Sequence, residues 1–168
     1  MTVELTKIEL GNITLPKGKV IATDPCYDTN TWCTEKVDVK PGDYICRAKY
    51  GVYPGWGERV FELTINHITC PKKKAVKVIG NCGVDSGQCG FFELDNYIEN
   101  HPNKETPKSE EWYNRACNIT LNDDEHCVGI MGVLDGVVAS SGLGDGMYTL
   151  YAGYDNRGQI TALRLRFL

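Results

Sequence analysis

The chain has 168 residues, 42% of them hydrophobic and 24% charged, with a formal net charge of −4 and a pI near 5.4. That length fits one domain, residues 1–168, and can bury a core without metal or disulfide staples, while the acidic balance and lack of a basic stripe argue against a nucleic-acid binder. No apolar run approaches the ~20 residues of a membrane span, and Met1-Thr2-Val3-Glu4 lacks the features of a signal peptide, so a cytoplasmic location without a membrane partner is expected.

In chain order, residues 4–9 alternate weakly, and 18–23 form an apolar strand running into Asp24-Pro25-Cys26-Tyr27. Pro41-Gly42 signals a turn. Residues 44–50 alternate, with Tyr44, Cys46 and Ala48 on one face, and 59–68 alternate again after a loop rich in glycine and aromatics. Lys72-Lys73-Lys74, the one basic run, follows a proline and reads as a solvated turn. Residues 75–79 are a further strand leading into Gly83-Val84-Asp85-Ser86-Gly87-Gln88. Two helices are predicted next: 91–99, ended by His101-Pro102, and a second with Ser109 as N-cap ahead of Glu110 and Glu111. Residues 122–126 are an acidic turn without the twelve-residue spacing of an EF-hand.

The C-terminal third is β throughout, with strands at 128–133, 137–140, 148–154 and 159–167. Asp135-Gly136 is a two-residue hairpin signal, and Asp155-Asn156-Arg157-Gly158 a longer one. Roughly eight strands with two short inserted helices make a mainly β, α+β protein, a β-sandwich or partly open barrel.

The eight cysteines show no C-x-x-C pair. Cys26/Cys33 and Cys82/Cys89 are each separated by six residues, too far for ordinary structural zinc spacing. In a reducing compartment they read as small buried hydrophobes.

Three loops share one texture: Asp24 to Tyr27, Gly83 to Gln88, and Ser140-Ser141-Gly142-Leu143-Gly144-Asp145-Gly146. The last two, with Gly90-Phe91-Phe92 opening a helix, Asp155-Asn156-Arg157-Gly158 and a closing strand ending in Phe167, resemble the bacterial and phage proteins catalogued as domain of unknown function 4241. Asp24-Pro25-Cys26 and Pro41-Gly42-Asp43-Tyr44 are similar to earlier landmarks of that family, so the resemblance spans roughly residues 18 to 167. It implies a mainly β domain of bacterial or phage origin and implies no chemistry.

Glycine-rich loops expose backbone amides to anions and let a partner approach closely. Asp24, Cys26, Tyr27, Asp85, Ser86, Gln88, Ser140, Ser141 and Asp145 are therefore candidate ligand-binding residues, with Tyr27, Trp32, Tyr50, Tyr53, Trp56 and Trp112 available for stacking. If the three loops meet, a small polar ligand such as a nucleotide suits the site. In a phage or bacterial protein, that would be the sequestration of a nucleotide-type signal. The alternative is a metal-assisted hydrolase, in which Asp24, Asp85 and Asp145 hold Ca²⁺ or Mg²⁺ and the ion activates water. In a third case the glycines only shape turns and the protein is an interaction or immunity protein. A nucleophilic role for Cys26 or Ser86 lacks a signature: no histidine is suitably placed, and Asp85-Ser86-Gly87 is not a nucleophile elbow.

Overall fold

The computed structural model describes residues 2–32 and 34–168. Among them, eleven strands form two antiparallel sheets. The larger sheet runs in the order β1 (Thr6–Leu15), β4 (Gly42–Tyr53), β5 (Gly57–His67), β11 (Ile160–Arg166), β10 (Gly146–Tyr154) and β6 (Lys77–Val84). The smaller runs β3 (Glu35–Asp38), β2 (Lys19–Thr23), β7 (Gln88–Glu93), β9 (Gly136–Ser140), β8 (Val128–Gly132). The sheets do not close into a barrel, so the sandwich holds and the barrel alternative falls.

Strand alternation explains the layering. Val20 and Ala22 of β2, Phe91 of β7 and Val137 and Ala139 of β9 point between the sheets, where they meet Tyr44, Leu63, Ile65, Leu150 and Leu163. Their neighbours Ile21, Phe92 and Val138 point the other way, into a second core with Tyr97, Trp112, Ala116 and Met131. That second core is roofed by α1 (Leu94–Asn100) and α2 (Pro107–Thr120). The smaller sheet is thus the middle of three layers, and every residue of β7 is buried. Among the described residues, no helix is long and apolar enough to cross a membrane.

Several expected boundaries move. The helix predicted at 91–99 begins only at Leu94; Phe91 and Phe92 belong to β7, because a strand buried on both faces carries the same apolar density as a helix face. The N-cap of α2 is Thr106, not Ser109, which sits at the third helical position and completes a reciprocal capping box. The strand expected at 75–79 becomes β6, Lys77–Val84, and the short edge strand β3 was not foreseen. The hairpin at Asp135-Gly136 has a three-residue connection, 133–135. Gly136 is needed there as the first residue of β9: φ is 142°, and a Cβ would stand 2.2 Å from the Phe91 carbonyl oxygen.

The seven described cysteines are all free; Cys33 lies outside the described residues. Cys46, Cys82 and Cys89 are packed in the inter-sheet core, as small hydrophobes.

Candidate functional site

The three loops singled out in the sequence do gather at one end of the sandwich. The residue that joins two of them is Asp24. It follows β2 directly and is fully buried. A carboxylate can be taken out of water only if donors replace its hydration, and Asp24 has four. Its Oδ2 accepts from the Asp85 and Ser86 backbone N–H groups at 2.8 and 2.7 Å. Its Oδ1 accepts from the Ser86 hydroxyl at 2.6 Å and the Cys26 N–H at 3.0 Å. The Tyr97 hydroxyl reaches the Tyr27 carbonyl at 2.6 Å, fastening the same loop to α1.

The third loop is tied in by different groups. Asp145 Oδ1 accepts from the Gly87 N–H at 3.1 Å. Buried Ser141 donates its N–H to the Gly87 carbonyl at 3.0 Å and its hydroxyl to the Gly144 carbonyl at 2.9 Å. The Tyr148 hydroxyl, 3.1 Å from the Ser141 carbonyl and 2.5 Å from that of Gly144, closes the loop from below. Gly87, Gly142 and Gly144 all have positive φ, which lets the chain double back tightly. On the helix side, Gln88 is buried; its amide donates to the Ser86 hydroxyl at 3.3 Å and accepts from Thr120 at 2.9 Å.

These loops form one wall of a cleft of about 600 Å³. Ser86, Gln88 and Ser140 line it from the predicted set; Tyr113, Cys117 and Thr120 come from α2, and Trp56 and Arg59 from the tip of the β4–β5 hairpin. Asp24, Cys26, Tyr27, Asp85, Ser141 and Asp145 do not line it. Asp24, Ser141 and Asp145 hold the lining loops in place, while Asp85 is exposed and accepts from the Tyr27 hydroxyl at 3.0 Å. Trp56, 51% exposed, is the one proposed stacking residue in the lining. Trp112 is buried against Phe92 and Tyr97, and Tyr50 stacks on His126 at 3.9 Å. Arg59, Tyr113 and Cys117 carry no local motif, since they reach the cleft only through long-range packing.

The matched family model, described as a protein of unknown function (DUF4241), covers residues 79–165, from β6 into β11. The chain belongs to that family. The DUF4241 match includes the 83–88 loop, both helices and the 140–146 loop, whereas Asp24 and the β4–β5 hairpin lie outside it. No curated protein and no solved structure matches the chain.

Two thiols near the cleft, Cys26 and Cys127, are shifted towards the protonated form. Burial, then the neighbouring Asp24 charge, pushes Cys26 up to about 12, and burial with Asp123 pushes Cys127 up to about 11. Burial and Cys117 likewise raise the Tyr113 phenol to about 12. Among the described residues, no group of three histidines, cysteines or carboxylates is arranged to hold a metal ion. Asp24, the most enclosed of the three aspartates, spends its oxygens on N–H and O–H donors.

Proposed function

We propose that this DUF4241 protein binds a small polar ligand of nucleotide type in the cleft between the 86–88 loop, the 140–144 loop and α2. The supporting observation is that two of the glycine-rich loops, joined to each other at Gly87 by Ser141 and Asp145 and anchored from behind by Asp24, face one cleft that also carries a cation and an exposed aromatic. Arg59 suits an anionic group, the Trp56 ring a flat base, and the Ser86, Ser140 and Gln88 side chains the polar edges. The cleft volume lies within the usual range for small-molecule sites. Burial disfavours the thiolate at Cys26 and Cys127, which weighs against those two as nucleophiles and favours the binding reading. In a phage or bacterial setting, tight binding without turnover amounts to sequestration of a nucleotide signal.

Thermal denaturation with a panel of mono-, di- and cyclic nucleotides tests this. A ligand at about a hundred times its Kd stabilises by roughly 2.7 kcal/mol, a rise of about 5–10 °C for a chain of this size. The rise should disappear in Trp56→Ala and Arg59→Ala. A panel with no effect, or a rise that survives both substitutions, overturns the proposal.

A further inference from the structure

The outer face of the larger sheet carries a second concavity, of about 420 Å³, which shares no lining residue with the cleft. Its floor is built from two neighbouring cross-strand rows. In one, Arg47, Thr64 and Arg164 face one another across β4, β5 and β11, and the row continues beyond the groove to Glu9 on β1 and Tyr151 on β10. In the other, Lys7, Lys49 and Glu62 do so across β1, β4 and β5. The wall is the segment carrying Lys72, Lys73 and Lys74.

That segment is fixed over the floor by several independent contacts. Arg47 donates to the Pro71 carbonyl at 2.9 Å. The side-chain amide of Asn66, only 6% exposed, donates to the Lys73 carbonyl at 2.8 Å. The Val76 N–H donates to the Ala152 carbonyl at 3.2 Å. Gly153 leaves the room: a Cβ there would stand 2.5 Å from the Lys74 carbonyl oxygen. The lysine run that reads as a solvated turn is thus held against a basic sheet face.

Seven basic side chains meet in this groove, and Glu62 is the one carboxylate in its lining. Glu62 is divided between Lys49 at 3.0 Å and Arg164 at 3.1 Å, and Glu9 reaches Arg47 at 3.4 Å. Among the described residues, Lys7 and the three loop lysines have no carboxylate within ion-pair distance. The Arg164 Nε is buried and has no acceptor. Like charges placed opposite one another, as Lys7 and Lys49 are, destabilise a sheet. A chain of net charge −4 that concentrates cations in this way creates a strongly positive local field for a counter-ligand.

We propose that the groove binds a compact polyphosphate, a run of two or more linked phosphates that is either inorganic or the tail of a nucleotide. Arginine forks supply directional contacts to phosphate oxygens and lysines supply point charges. The small volume suits a compact ligand. Single-stranded nucleic acid asks for open aromatic platforms along a track, whereas, among the described residues, this groove has no aromatic in its lining and the neighbouring Tyr151 ring is covered by the Arg164 guanidinium at 4.1 Å.

Titration calorimetry with sodium tripolyphosphate at low salt tests the proposal. The triple variant Lys72→Gln, Lys73→Gln, Lys74→Gln, all at exposed positions, should bind at least tenfold more weakly. A control that removes the same charge elsewhere, Lys36→Gln, Lys104→Gln, Lys108→Gln, should stay within twofold of the parent. ATP binding that is lost in the first triple variant supports the nucleotide source; tripolyphosphate binding without ATP binding supports the inorganic one. No heat with tripolyphosphate, equal losses in both triple variants, or an oligonucleotide of about 20 bases binding more than tenfold tighter than tripolyphosphate overturns the proposal. The groove and the cleft share no residue, so failure of one leaves the other standing.

Discussion

Asp24 gathers four donors from two loops that are about sixty positions apart in sequence, so its loss is felt twice: the donors go unsatisfied, and the 83–88 loop loses its anchor. Hydrogen bonds to charged groups contribute about 1.5–3 kcal/mol, and stranded buried donors add to the cost. Asp24→Ala should therefore lower stability by about 3–5 kcal/mol in urea denaturation, and Asp24→Asn by less, because one acceptor oxygen survives; an alanine variant as stable as the parent would show that the network is idle. The same enclosure governs Cys26. With its thiol raised to about 12, chiefly by burial, Cys26 has a thiolate fraction at pH 7.5 about a thousandfold below that of a free thiol, and its alkylation by iodoacetamide should be slower by at least about a hundredfold. Peptide mapping by mass spectrometry after timed labelling measures it, and fast labelling of Cys26 would contradict the protonated state. Asp24 is legible in the sequence as a carboxylate in a proline-containing turn directly after an apolar strand, with the same texture as the loops of Asp85 and Asp145. The direction in which it points was not legible, since its partners at 85 and 86 are brought to it only by folding.

At the level of elements, β7 shows why local pattern misleads. Gln-Cys-Gly-Phe-Phe-Glu is buried at all six positions, so alternation, the usual sign of a strand, is missing. Phe91 faces the inter-sheet core and Phe92 the helices, at 5.3 Å from Tyr97 and 5.4 Å from Trp112. Phe92→Ala should cost about 3–5 kcal/mol, with much of it from the cavity left beneath α1 and α2. By contrast, the Asp155 hairpin was fully readable, because its chemistry is local. Its carboxylate accepts from the Arg157 and Gln159 N–H groups at 2.9 and 3.0 Å, and those bonds, the Gln159 one foremost, hold its pKa below the usual 3.8. The sign follows from linkage: the folded state binds this proton less readily, so the contribution is complete above pH 3.8 and fades as pH falls through the lower folded value. Asp155→Asn should therefore melt below the parent at pH 7, and the gap should shrink under pH 3.8; a gap that is constant with pH would rule out the carboxylate as its source. The group is exposed, so the effect is a modest shift in Tm.

Over the whole molecule, the two sheets differ in kind. The smaller is enclosed by the larger sheet on one face and by two helices on the other, while the larger presents its basic outer face to solvent. Strand existence was largely legible from alternation and turn residues, but sheet membership was not: β2 pairs with β7 and β3, and β11 inserts between β5 and β10, pairings fixed by contacts over tens of residues. Enclosure sets the order in which the structure opens. To expose the amides of β7, the chain must break hydrogen bonds to β2 and β9 and separate two apolar layers, which approaches global unfolding. Strand β1 lies at the edge of the larger sheet; β4 is the one strand it pairs with, and the Thr14 N–H bond to the Val133 carbonyl at 2.7 Å ties down its C-terminal end alone. Native-state hydrogen exchange should accordingly find the most protected amides in β2, β7 and β9, with β1 and β3 exchanging much faster through local opening. Equal protection of β1 and β9 would mean that the helical layer adds nothing to the middle sheet. In Phe92→Ala the protection of β7 and β9 should fall together with that of α2, because Trp112 and Val138 pack in the same core as the deleted ring.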